Sequence, residues 1–256
     1  MKVDQLNIEI HKTRQEMGES AAKAVAAKIR EIQDSKEEIN IIFASAPSQN
    51  EFLDVLSNEK NIAWEKVNAF HMDEYVGLAN DAPQNFGHFL KVRLFNKVPV
   101  KSVFYINGNA TDIEKECEHY SGLLTQYPTD IVCLGIGENT HIAFNDPFIA
   151  DFNDPVLVKK VALDFESRQQ QVNDQCFETL GEVPKDAITL TVPALLKAEF
   201  AYCIVPGENK ADAIRKTVER EISVEFPSTI LRNHPNITLY IDKGSSGKLS
   251  QISSYS

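Results

Sequence analysis

Apolar and polar positions along the chain switch repeatedly between two periods, and the switches predict the elements. Short, nearly continuous apolar runs at Ile39 to Ala44, Val67 to Phe70, Ser102 to Ile106, Ile131 to Leu134, Ala187 to Thr191, Phe200 to Val205 and Ile237 to Ile241 read as strands buried on both faces. Between them, amphipathic stretches with helical spacing run from Thr13 to Asp34, from Asn50 to Leu56, from Asp112 to Gln126 and from Lys210 to Glu219. Strands that alternate with helices predict an α/β fold of three layers, α/β/α, around a mostly parallel central sheet. No repeat or low-complexity block interrupts the pattern. The Ser-rich end from Gly244 to Ser256 reads as a frayed tail, which puts a single domain at residues 1–243.

Composition narrows the function classes. A chain of 256 residues with 43% hydrophobic content can bury a sizeable core. Its formal net charge of −11 argues against a general nucleic-acid binder, which needs a basic face, but leaves room for a small phosphorylated ligand held by a few local donors. No run approaches membrane-spanning length, and the first twenty residues carry no apolar signal region, so a cytoplasmic protein is expected. The four cysteines, Cys117, Cys133, Cys176 and Cys203, form no CxxC pair, and Cys133 and Cys203 lie inside strand-like runs as core thiols. Six histidines are dispersed without HxH or HxxxH spacing, so no metal site is expected.

Two strand ends concentrate the chemistry. After Ile131 to Leu134 come Gly135 and Gly137, and then Glu138, Asn139, His141, Asn145 and Asp146 within nine residues. In an open parallel sheet, ligands bind beyond the carboxyl ends of the strands, where these side chains project. An imidazole with carboxylates is the equipment of acid/base catalysis near neutral pH. The plainer reading is a strand-to-helix loop with a solvated histidine and a capping acid. Val67 to Phe70 leads in the same way to His71, Met72, Asp73, Glu74 and Tyr75, and two such ends suggest a shared site.

The segments MDEYVGL (Met72 to Leu78), GIGENTHIAFNDP (Gly135 to Pro147) and INGNATD (Ile106 to Asp112) resemble the signature segments of the glucosamine-6-phosphate deaminase (isomerase) family, and the resemblance runs roughly from Ile39 to Asp242. It implies a Rossmann-like fold and a reaction without cofactor. In that reaction an amino-sugar phosphate opens its ring, moves a proton from C2 to C1 and loses ammonia. By the same resemblance Asp73 is the carboxylate that moves the proton, and His141 passes a proton to the ring oxygen. Asp146 supports the imidazole beside Asn139, and Glu74 belongs to the substrate pocket.

Three further segments fit a phosphate pocket. Ala44 to Gln49 joins a strand to a helix, so backbone N–H groups with Ser45, Ser48 and Gln49 can face an anion; the alternative is an ordinary capped helix start. Arg168 and Lys210 would each be solvent-facing by default, and the resemblance places both on the sugar phosphate. The chain departs from the family pattern in its Ser-Ala-Pro-Ser loop, usually Gly-rich with a Thr, in Asn139 where Asp is common, in Thr140 where Gly is usual and in Asp146 where Glu is usual. A 6-phosphogluconolactonase, a galactosamine-6-phosphate deaminase and a non-catalytic sugar-phosphate sensor are the competing readings. The first usually shows an arginine after its Asp-Glu pair, where this chain has Tyr75. A homo-oligomer is left open, because assembly surfaces vary within a fold. Among the rest, Trp64 reads as packing, His71 as a satisfied or supporting histidine, and His88, His119 and His234 as surface residues. Asn85 to Gly87 and Phe152 to Pro155 read as loops able to form a lid.

Overall fold

The structure, a computed structural model, describes residues 1–250. The chain begins with β1 (Lys2–Val3), β2 (Leu6–His11), α1 (Arg14–Gln33), β3 (Ile39–Phe43), α2 (Asn50–Asn58), β4 (Val67–His71), β5 (Asp73–Tyr75), α3 (Phe86–Leu90), β6 (Ser102–Phe104), α4 (Ile113–Gln126) and β7 (Ile131–Leu134). It continues through β8 (Val158–Ala162), α5 (Phe165–Asn173), β9 (Asp186–Leu190), α6 (Val192–Leu196), β10 (Phe200–Val205), α7 (Ala211–Glu219) and β11 (Ile237–Asp242). Eight strands form one sheet in the order β1-β2-β11-β10-β7-β3-β4-β6, parallel throughout except for the β1–β2 edge.

The near-continuous apolar runs follow from burial on both faces. In β3, Ile39, Ile41 and Phe43 join α1, α2 and the segment after α3 in one core, whereas Ile42 joins α4, α6 and α7 in the other. Neighbouring strands repeat this division, with Ile131 and Cys133 on the first side and Val132 and Leu134 on the second. The mostly parallel three-layer expectation therefore describes the molecule. Helix starts carry their caps: Thr13 accepts from the Glu16 amide and Asp112 from the Lys115 amide, which satisfies N–H groups that the first turn leaves free.

Four strands lie outside the elements read from the sequence. Leu6–His11 alternates buried and exposed positions as a near-edge strand, and β5 and β8 are short and polar. The run at Ala187 to Thr191 forms no part of the large sheet. It is β9, the centre of a separate antiparallel sheet β5-β9-β8. That sheet covers a third apolar cluster containing Tyr75, Phe86, Phe144 and Phe177. The expected tail also begins later than Gly244. Ser245 donates its amide to Asp242 at 2.8 Å, and Leu249 is buried in the main core, so packing continues past residue 243. Residues 251–256 of that tail lie outside the described residues. His234 is buried, with Nε2 2.8 Å from the Ala198 carbonyl oxygen, and is not a surface residue.

Candidate active site

Chain order reverses at β3 and β7: β4 and β6 add on one side of β3, while β10 and β11 add beyond β7. Loops leaving these two strands diverge, and a crevice opens at their carboxyl ends. Its walls include Ala44 to Ser48 after β3, Met72 and Asp73 after β4, Gly135 to Gly137 after β7, and Pro206, Asn209 and Lys210 after β10. Phe86, His141, Phe144, Gln170, Gln171, Asp174 and Arg14 complete it.

Asp73 sits where the chain changes sheets. β4 ends at His71, and two residues later Asp73 pairs with Thr189 of β9, while the Met72 carbonyl accepts the Leu190 amide at 2.8 Å. His71 fixes the junction from beneath. Its Nε2 accepts the Ile106 amide at 2.9 Å, so Nδ1 carries the proton and donates to the Asp73 carbonyl at 2.9 Å. Complete burial lowers the His71 pKa to about 4, although the bond to Asp73 opposes the shift. Asp73 is buried in the cleft wall, and burial, followed by the neighbouring Glu74 charge, raises its pKa well above the ordinary carboxylate value.

His141 lies over Gly137, where an added Cβ would stand 2.1 Å from the imidazole Cε1, so only glycine allows this stacking. Nδ1 faces three oxygens: Asn139 Oδ1 at 2.7 Å, Ser167 Oγ at 2.9 Å and Asp146 Oδ1 at 3.1 Å. Ser167 Oγ–H and Asn139 Nδ2–H both donate to Asp146 Oδ1. The Asn139 and Ser167 oxygens therefore present lone pairs to Nδ1, which keeps the proton, and Nε2 is left as the free nitrogen of a cleft residue. Burial alone would raise the Asp146 pKa, but hydrogen bonds from His141, Ser167 and Asn139 outweigh it and hold the carboxyl below its ordinary value. The two signature loops meet on one residue. Thr189, the partner of Asp73, also accepts the Phe144 amide on Oγ1 at 3.0 Å.

Cationic groups also line the cleft. Ala46 is extended, and Pro47–Gln49 forms a single turn that leads into α2. Ser45 Oγ is buried without a protein partner, and Gln49 Nε2 donates to Ser48 Oγ and to the Ile204 carbonyl, both at 3.1 Å. Gly207, at φ 98°, turns the chain after β10 so that Lys210 points inward. Lys210 is 5% exposed, and among the described residues its ammonium makes no hydrogen bond or ion pair. Burial lowers its pKa, while Asp174 and Glu138 pull in the opposite direction. Burial raises the Asp174 pKa, opposed by Lys210, by a hydrogen bond from Gln170 and by Arg14. Among the described residues no group of three or more His, Cys, Asp or Glu side chains is placed to hold a metal ion.

The model of the glucosamine-6-phosphate isomerase/6-phosphogluconolactonase family matches residues 12–145. A glucosamine-6-phosphate deaminase of Bacillus cereus is 32% identical over 239 residues, covering 93% of this chain and 87% of that one. The Listeria innocua deaminase is 36% identical over 205 residues, covering 80% and 86%. The chain belongs to this family. A monomeric glucosamine-6-phosphate deaminase of known structure superposes with a TM-score of 0.85 at 29% identity, covering 94% of this chain and 99% of that one. A Thermotoga maritima 6-phosphogluconolactonase shares the fold, with a TM-score of 0.75 at 19% identity over 93% and 100% of the two chains.

In this family member, Asp73, His141, Ser45, Ser48 and Lys210 line one cleft. Asn139 and Asp146 lie behind His141, in contact with its Nδ1. Two expectations are overturned. Arg168 does not reach the cleft; its Nη2 donates to the Leu180 and Val183 carbonyls at 2.6 and 2.9 Å. Ser167 faces inward, and one residue further is about 100° around the helix, so Arg168 turns away. Glu74 does not face a ligand either. Its carboxylate accepts the Tyr75, Phe86 and Gly87 amides and so anchors the start of α3. Burial raises the Glu74 pKa to about 7 despite those three bonds. Gln49 acts indirectly, through Ser48. Of the two lid candidates, only the Asn85 to Gly87 loop reaches the cleft, through Phe86; the Phe152 side packs on the main core. Arg14 and Ser167 were not legible as site residues, because one opens a helix of ordinary amphipathic pattern and the other is a serine in a polar run.

Proposed function

We propose that this protein converts glucosamine 6-phosphate and water to fructose 6-phosphate and ammonia in amino-sugar catabolism. One observation carries the reading: the carboxylate of Asp73 and the imidazole of His141 share a cleft with the buried Lys210, whose ammonium makes no ion pair among the described residues. The relatives named glucosamine-6-phosphate deaminase support the substrate.

The chemistry follows from the protonation states. With its Nδ1 held by Asn139 and Ser167, His141 offers Nε2 to the substrate, and Nε2 takes the proton of the C1 hydroxyl and returns it to the ring oxygen, opening the sugar. Asp146 stabilises the imidazolium formed in between, because it is the carboxylate nearest Nδ1. Asp73 then removes the C2 proton and delivers it to C1, while a proton of the C2 ammonium passes to the C1 oxygen, which leaves a C1 alcohol and a C2 iminium. A carboxylate with a raised pKa is the stronger base once ionised, and the substrate's ammonium at C2 favours the ionised form. The C2 iminium is hydrolysed by water, which releases ammonia. Each step is a proton transfer or a water addition, so acid/base groups suffice.

The phosphate sits at the Ser45–Ser48 turn, where the Ser45 hydroxyl, the Ser48 side chain and Lys210 converge on the cleft. Pro47 has no N–H to give, so the donors come from its neighbours. Four free cysteines, three of them buried, support a reducing cytoplasm. A coupled assay for ammonia and fructose 6-phosphate, run on glucosamine 6-phosphate, galactosamine 6-phosphate and 6-phosphogluconolactone, tests the reading. Equal yields of ammonia and ketose phosphate from the first substrate are expected. Lactone hydrolysis without ammonia would overturn it.

A further inference from the structure

We infer that Arg14, at the first turn of α1, is a binding residue for the substrate's phosphate and supplies there the guanidinium that the sequence had assigned to Arg168. The inference rests on the sugar-phosphate reading of the cleft given above. α1 begins far from both signature motifs in sequence, yet its first residue lines the same crevice as Ser45, Ser48 and Lys210. Gly18 explains how. A Cβ at Gly18 would stand 2.6 Å from Glu51 Cβ, so the missing side chain lets α1 lie directly against α2 and carries Arg14 to the anion loop.

The guanidinium is then held from two sides. Nε lies 2.8 Å from Glu51 Oε1, and Nη2 donates to the carbonyl oxygen of Pro47. A guanidinium has five N–H groups; the Pro47 contact engages one of them, and the Glu51 contact is an ion pair in which Nε makes no hydrogen bond. Nη1 makes no hydrogen bond within the described residues, and the half-buried side chain opens onto the cleft. An ordinary surface arginine would spread its donors into solvent. This one is tethered to the backbone of the loop that turns around the anion position, and its remaining edge is a planar fork suited to phosphate oxygens. The peptide that Arg14 grips belongs to the proline that cannot itself donate, so the guanidinium stands in where a loop amide is missing.

Isothermal titration with glucitol 6-phosphate, which cannot react, and with glucitol tests the assignment on the full chain. R14A, R14Q and R168A are compared with the unaltered protein, with melting temperatures recorded beside each. Gln retains a donor for the Pro47 carbonyl but no charge, and so separates loop support from phosphate binding. Both Arg14 variants are expected to weaken glucitol 6-phosphate binding roughly 10- to 100-fold, the range for loss of a charged hydrogen bond. R168A should leave that affinity within about twofold. In turnover assays R14Q should raise KM while kcat changes little, as expected when ground state and transition state share the lost contact. A folded R14Q that binds glucitol 6-phosphate as tightly as the unaltered protein overturns the inference. If the unaltered protein binds neither this ligand nor inorganic phosphate, the sugar-phosphate reading falls, and the role of Arg14 falls with it.

Discussion

Acidification should weaken the fold through one buried histidine. His71 has no exposed surface, and its Nε2 accepts the Ile106 amide, so a proton on that nitrogen would set two N–H donors against each other. Its folded pKa is about 4 against an unfolded value of 6.5. Between those values the unfolded chain binds a proton that the native chain refuses, so stability rises with pH across the window. The contribution is complete above pH 6.5 and is lost as pH falls towards 4. A difference of roughly 2.5 units at 1.36 kcal/mol each amounts to about 3 kcal/mol, a large share of the 5–15 kcal/mol that folded domains retain. His234 is shifted downward by burial as well and adds a slope of the same sign, whereas the raised pKa values of Glu74, Asp73 and Asp174 give slopes of the opposite sign, so the His71 share is read from the difference between variants. Urea unfolding at pH 7, 6, 5 and 4.5 measures the slope, and H71Q, whose amide oxygen can still accept from Ile106, isolates the His71 share. Nitrogen-15 spectra of the native protein should show His71 neutral at pH 5, with the proton on Nδ1. Titration of the native ring near 6.5, or an H71Q variant with an undiminished slope, would refute the argument.

Two smaller predictions concern the imidazole loop. S167A should lower kcat roughly 10- to 100-fold, the scale of a lost hydrogen bond to a charged group, and S167T should recover part of it because the hydroxyl returns. An open-chain substrate analogue should be less affected, and equal losses on both substrates would sink the assignment to ring opening. Thr140 holds φ at 77° with its side chain fully buried, a conformation that costs a β-branched residue on the order of 1–3 kcal/mol. T140G should therefore raise the melting temperature by about 2–4 °C after the added chain entropy of glycine is deducted, and a lower melting temperature would show that the Thr140 packing outweighs the strain.

The parallel sheet was legible because its strands are buried on both faces, and few other structures give runs such as Ile39 to Phe43 or Ile131 to Leu134. The second sheet was not. β5 and β8 are short and polar, and the apolar β9 carries nothing that says which sheet it joins. In the cleft, Asp73 and His141 could be read because each follows a strand end in a long motif. Arg168 and Glu74 were misplaced for a shared reason. Residue type and spacing place a side chain near a site, but the direction of its last bonds depends on neighbours remote in sequence, here the 180–183 turn and the amides at the start of α3. Arg14 was missed for the converse reason. Only the close crossing of α1 and α2 at Gly18 brings it to a loop thirty residues onward.

The distribution of charge across the cleft bears on which family activity the chain performs. The cleft offers Lys210 and Arg14, with Asp174 near both, to a phosphate dianion. The cleft wall also holds Asp73, with Glu74 next to it but outside the lining, and both have raised pKa because burial disfavours their charge. Glu74 is occupied by three backbone amides, and among the described residues no Lys or Arg makes an ion pair with Asp73. A glucosamine 6-phosphate molecule carries complementary charges, with an ammonium at C2 and a phosphate at C6. It thus supplies the cation that ionises Asp73 at the place where that carboxylate must act as a base. A phosphogluconolactone has the phosphate but no cation, and it would leave Asp73 favouring its neutral acid form. The raised pKa of Asp73 therefore predicts a preference for the amino sugar over the lactone that comes from the base as well as from the shape of the pocket.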